Sequence, residues 1–196
     1  MNYFEPLTRF VDLSDGSIPA AHLVQRRHLS DLAGLFADQA AEAALTGANP
    51  LLYEVHEAAV IPKEDGHLLF STTVVRPGTV GEEYFMTKGH YHARADRSEL
   101  YYGLAGEGLL LMQTPEGRID AQPMRPGAAC YVPPFWGHRS INTGATNLVF
   151  LAVYPADAGY DYGTIAEEGF AEIVVKGPTG PRLVPNPRYR DSQGAG

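Results

Sequence analysis

The 196-residue chain is 44% hydrophobic and 19% charged, a balance that suits one compact domain and argues against a disordered chain or a bundle of membrane-spanning helices. Its formal net charge of -8 argues against nonspecific nucleic-acid binding, which needs basic surface, but leaves room for a small anionic substrate in a locally positive pocket. With Cys130 as the only cysteine, no intrachain disulfide can form. The opening "MNYFEPLTRFVDLSDG" lacks the basic flank and apolar run of a signal peptide, and together these features predict a cytoplasmic protein.

In chain order, "LSDLAGLFADQAAEAAL" (29–45) predicts a helix, capped by Ser30 or Asp31 and followed by Gly47 and Pro50. It forms an N-terminal annex before a strand-rich region over about 51–155. There, "LLYEVHEAAVI", "HLLFSTTVV", "EEYFMTKGHYHA", "ELYYGLAG", "GLLLMQT", "AACYVPP", "RSINTG" and "NLVFLAVYP" predict strands, separated by "PKEDG", "RPG", "ADRS", "TPEG" and "NTG". The longest apolar run, "LVFLAVY" (148–154), is strand-length and far too short for a bilayer span. Many short strands with Gly/Pro/Asp turns and no helix between them predict an all-β, antiparallel sandwich or barrel. A Pro- and Gly-rich tail over about 178–196 closes a single domain, its last few residues predicted to be disordered.

The chemistry is concentrated in "TKGHYHARADRSELYYGLAGEG" (87–108). On a strand, His90 and His92 project to the same side, about 7 Å apart along the chain, close enough for two imidazoles to converge on one ion. "ARADRS" gives room for a turn, after which Glu99 starts a returning strand and faces the same ion. His138, in "PGAACYVPPFWGHRSIN", is the fourth candidate. Three histidines and one carboxylate make a ligand set suited to Fe(II), Mn(II), Ni(II) or Zn(II). His22, His28, His56 and His67 have no partner spacing and are read as surface or hydrogen-bonded residues.

The spacing carries a resemblance. Six residues separate Glu99 from Gly106, five separate Gly127 from Pro133, four separate Pro133 from His138, and three separate His138 from Asn142. This is similar to both motifs of the cupin superfamily, whose fold is a small double-sheet, jelly-roll-like β-barrel holding a metal. Two motif glycines are replaced, by Tyr84 and by Phe135. "TKGHYHARADRSELY", "LLMQTPEG", "PGAACYVPPFWGHRSIN" and "VYPADAGYDYGTIAEEGF" narrow the resemblance to the cupin-type glucose-6-phosphate isomerases, the archaeal kind, from "RRHLSDLAGLF" to "NPRYR". The wide gap between His92 and Glu99 belongs to that family's own version of the motif.

The resemblance implies a homodimeric, metal-dependent enzyme of glycolysis and gluconeogenesis that interconverts glucose 6-phosphate and fructose 6-phosphate. One divalent metal per subunit is expected, Fe(II) first, with Mn(II), Ni(II) or Zn(II) as alternatives. Hydrogen would move between carbons 1 and 2 either as a proton through a cis-enediol or as a hydride. Glu99 is the candidate base on the first route, and Tyr101, two residues on and on the same face, resembles the family's active-site tyrosine. With no glycine-rich phosphate loop, the resemblance assigns the phosphate to Thr73, Thr87, the Gly89 amide, Tyr154 and Tyr162. Tyr160 stands where members of the family often carry histidine, and it is added to the substrate-binding set. Lys88 is expected to point to the opposite face, at the surface. Mannose-6-phosphate isomerisation, a cupin dioxygenase and a nonenzymatic sugar-phosphate-binding cupin are the competing readings. No nucleic-acid or membrane partner is expected.

Overall fold

A computed structural model describes residues 4–190. In chain order its strands are β1 (Leu23–His28), β2 (Leu51–Glu57), β3 (Leu68–Val75), β4 (Thr79–Val80), β5 (Glu83–Tyr84), β6 (Glu99–Ala105) and β7 (Gly108–Gln113). They continue as β8 (Ile119–Met124), β9 (Ala129–Val132), β10 (Gly137–Asn142), β11 (Leu148–Pro155), β12 (Glu172–Gly177) and β13 (Gly180–Pro185). The only α-helices among the described residues are the short α1 (Gln39–Leu45) and α2 (Gly163–Glu168). None of the helices is long and apolar enough to cross a membrane.

The architecture is all-β, as expected. A six-stranded sheet runs β1-β2-β3-β11-β6-β9, a three-stranded sheet runs β10-β7-β8, and a four-stranded sheet runs β13-β12-β5-β4. Every pairing is antiparallel. Period-two alternation decides what each strand buries. On β6, Glu99, Tyr101 and Gly103 point in while Leu100 and Tyr102 point out. On β11, Phe150, Ala152 and Tyr154 are buried, and they pair across to β3 and β6, with Ala152 opposite both Ser71 and Tyr101. Phe36, Phe150, Phe170, Leu110, Leu111 and Met124 are among the fully buried side chains, each worth about 1.5–3 kcal/mol relative to exposure.

Three expectations need correction. The helix over 29–45 is broken: a 3-10 turn spans Leu29–Leu32 and the α-helix begins only at Gln39. Gly34, at φ +82°, turns the chain between them, which lets Phe36 reach the core. The cap of α1 is Asp38, accepting from the Ala41 amide, while Asp31 caps the preceding turn through the His28 amide. The strand region also extends beyond 51–155, because β1 pairs with β2 and β12 pairs with β13 inside the expected tail. Finally, "EEYFMTKGHYHA" is a strand only at Glu83–Tyr84; beyond it the chain touches β10 through the single bridges Met86–Ile141 and His90–His138. The disorder expected at the chain end falls on residues 191–196, outside those described.

Candidate active site

The inner face of the six-stranded sheet and the segment 87–90 line a cavity of about 280 Å³. At one end His90, His92, Glu99 and His138 each offer one ligand atom, all within 4.8 Å of one another. The parts come from different places. Glu99 opens β6, His138 lies on β10, and His90 is held against His138 by two backbone hydrogen bonds of 3.1 and 2.9 Å.

Outer contacts orient the rings. Nδ1 of His92 donates to the Arg97 carbonyl (2.9 Å) and Nδ1 of His138 to the Trp136 carbonyl (3.2 Å), which turns each Nε2 lone pair inward, as metal-ligating histidines require. Arg97 is fixed in turn by Asp157, with Nε and Nη2 at 3.0 and 2.8 Å. The "ARADRS" turn is therefore a scaffold for His92. Oε2 of Glu99 lies 3.2 Å from Nε2 of His92 and 3.1 Å from Nε2 of His138. The buried Nε2 of His90 has no hydrogen-bond partner among the described residues. A buried nitrogen left without a partner is costly, and this donor set of three imidazoles and a carboxylate fits a divalent metal.

Electrostatics support the same use. Burial, and then the neighbouring His138, hold His90 well below its ordinary value, so it stays neutral. Burial pushes the Glu99 carboxyl up, but the facing His138 and His92 rings outweigh it and bring it down to about 2. Burial and Glu99 raise Tyr101 well above 10, which keeps its phenol protonated.

Thr73, Thr87, Gly89, Tyr101, Tyr154, Tyr160 and Tyr162 all line the cavity. Tyr101 stacks on Phe150 with centroids 4.8 Å apart. The Tyr154 and Tyr160 hydroxyls are hydrogen-bonded at 2.8 Å, Tyr160 stacks on Tyr162, and its ring edge meets His90 at 4.9 Å. Thr87 Oγ1 accepts from the Ser140 amide, which leaves its hydroxyl hydrogen free to donate.

Lys88 does not point away. It lines the cavity, with Nζ 5.1 Å above the Tyr162 ring, because Gly89 at φ +78° interrupts the strand alternation on which the outward direction depended. Gln25, Arg27, Tyr53, Glu57, Lys63 and Ser71 also line the cavity. Gln25 and Arg27 were missed because β1 carries no turn signal setting it apart from the annex. Phe135, in place of a motif glycine, keeps the glycine-like backbone at φ +70°. Its side chain is 58% exposed. His22, His28, His56 and His67 stay outside the cluster.

A family profile described as Glucose-6-phosphate isomerase (GPI) matches residues 26–182. The chain belongs to the glucose-6-phosphate isomerase family. The Thermococcus kodakarensis glucose-6-phosphate isomerase is 49% identical, covering 97% of this chain and 100% of its own. That of Pyrococcus furiosus is 48% identical, covering 96% and 99%. A putative glucose-6-phosphate isomerase 1 of Rhizobium meliloti is 44% identical, covering 95% and 89%. Among solved structures, oxalate decarboxylase from Bacillus subtilis aligns with a TM-score of 0.43 and 22% identity, over 56% of this chain and 26% of that one. Family membership over nearly the whole chain gives an enzyme of the glucose-6-phosphate isomerase class, acting on a sugar phosphate.

Proposed function

We propose that this isomerase is metal-dependent and that His90, His92, Glu99 and His138 hold one divalent ion per subunit, Fe(II) first, with Mn(II), Ni(II) or Zn(II) as alternatives. The carrying observation is the convergence of four ligand atoms within 4.8 Å at the wall of the cavity. When bound, the metal supplies Lewis acidity and a template for the two oxygens on carbons 1 and 2.

The chain's own groups do the rest. Glu99, ionised throughout the physiological range, is the base that moves the proton between carbons 1 and 2 through a cis-enediol; direct hydride transfer is the second reading. Oε2 of Glu99 is shared between His92 and His138, and Oε1 takes part in neither contact. Tyr101, on the same face of β6 and kept protonated, donates to a sugar oxygen. The phosphate is held by the hydroxyls of Thr73, Thr87, Tyr154 and Tyr162 and by the Gly89 amide. Tyr160, hydrogen-bonded to Tyr154, is part of the same wall. Burial, then Tyr154 itself, push its phenol far above 10, so it donates hydrogen bonds and does not act as a base in ring opening.

The reading includes a single cupin domain over 1–196, a cytoplasmic location, a role in glycolysis and gluconeogenesis, and a homodimer. The exposed apolar side chains of Leu100, Tyr102 and Tyr131, neighbours on the outer face of β6 and β9, suit contact with a second copy.

The test is turnover of fructose 6-phosphate by metal-stripped protein, then with each metal restored singly. Activity that returns only with metal supports the proposal. Full activity in metal-free protein would overturn it. Mannose 6-phosphate assayed in parallel separates the neighbouring isomerase reading.

A further inference from the structure

We infer that Arg139 is a positioning residue for the phosphate pocket, acting through the Lys88–Gly89 peptide to aim and polarise the Gly89 N–H toward the substrate's phosphate. This rests on the phosphate assignment above and adds a residue that never touches substrate.

Arg139 lies on β10 and is 3% exposed. Its guanidinium remains charged under all ordinary conditions, although burial, opposed by Glu83, lowers its pKa to about 10. Among the described residues no carboxylate lies within ion-pair distance of it. Burying a cation without a paired anion is costly. Its principal contact is with backbone: Nη2 donates to the Lys88 carbonyl at 2.9 Å. Nη1 reaches Met86 Sδ at 2.9 Å, and the guanidinium lies 4.4 Å from the Phe170 ring centroid.

The accepting carbonyl belongs to the same peptide unit as the Gly89 N–H. That peptide is planar and trans, so its C=O and N–H point in opposite directions. With the carbonyl turned to Arg139, the N–H faces the other way. Gly89 lines the cavity. Its flanking amides are engaged: Thr87 N–H with the Ser140 carbonyl, His90 N–H with the His138 carbonyl, and Lys88 N–H with the Tyr53 hydroxyl at 3.5 Å. Among the described residues, the Gly89 N–H has no partner. Left-handed backbone at Gly89 permits this orientation. A Cβ built there would lie 3.0 Å from both Arg139 Nε and Phe170 Cε2, so the guanidinium is seated directly against the glycine.

A charged donor on a peptide carbonyl polarises the unit and strengthens its N–H as a donor, the more so in a low-dielectric interior. The phosphate thus receives part of a buried cation's field without an arginine occupying the pocket.

The experiment compares the metal-loaded wild type with Arg139→Met and Arg139→Lys. It measures KM for fructose 6-phosphate, competitive Ki for inorganic phosphate, and Ki for glucitol, which carries no phosphate. In Arg139→Met, KM and the phosphate Ki should rise together by about tenfold, more than kcat falls, with the glucitol Ki little changed. Arg139→Lys, which keeps the charge, should recover much of the loss. An unchanged phosphate Ki, or a glucitol Ki that rises equally, overturns the inference. Wild-type protein with no fructose 6-phosphate turnover would instead sink the functional reading. If Arg139→Met fails to fold, the Zn(II)-loaded wild type labelled with ¹⁵N-glycine decides. Inorganic phosphate should move the Gly89 amide proton downfield, and no movement overturns the inference.

Discussion

His138 Nε2 lies 3.1 Å from Glu99 Oε2, although the two residues belong to different sheets, β10 with β7 and β6 with β11. The contact depends on how the sheets face each other and on the 87–92 segment that bridges them. It is the seat proposed for the metal.

Removing His92 should abolish stoichiometric metal binding and turnover together. Loss of an outer-shell partner typically costs about 10–100-fold in affinity or activity, and loss of a direct ligand should cost more. Elemental analysis of His92→Ala beside its fructose 6-phosphate turnover checks this. Full metal content with full activity would remove His92 from the site.

Glu99→Gln keeps size and removes charge. As the proton-transferring base, Glu99 should contribute about 10²–10⁴-fold to kcat. The measurement is kcat at saturating metal with metal content confirmed. Near-normal turnover in a metal-loaded variant would assign the hydrogen transfer elsewhere and favour the hydride route.

The pocket tyrosines should resist ionisation. Burial pushes Tyr53 and Tyr154 up to about 12. Between pH 10 and 12 the folded state then keeps protons that the unfolded state releases. Their contribution to stability is complete below pH 10 and is lost as pH rises toward 12. Absorbance at 295 nm across an alkaline titration should show a late group of phenols that ionises only near unfolding. A single transition near pH 10 covering all tyrosines would contradict this.

Gly89→Ala should cost stability and substrate binding together. Left-handed backbone costs a non-glycine residue of order 1–3 kcal/mol, and the new Cβ meets Arg139 and Phe170. Denaturant unfolding should give a lower midpoint, and KM for fructose 6-phosphate should rise. An unchanged midpoint would mean that the local backbone relaxes away from φ +78°.

Sequence periodicity and motif spacing determined the fold class, the convergence of His90, His92, Glu99 and His138, and the shared face of Glu99 and Tyr101, because strand alternation and turn residues act locally. The same local logic failed where glycine breaks it. Gly34 split the predicted helix, and Gly89 turned Lys88 into the cavity. Other features are invisible to local pattern: the recruitment of Gln25 and Arg27 through β1, the Arg97–Asp157 brace behind His92, and the Arg139 contact with the Lys88 carbonyl. Each joins groups on separate elements. Tertiary packing alone decided them, since hydrogen bonds and burial between distant segments depend on sheet register and facing rather than on neighbours along the chain.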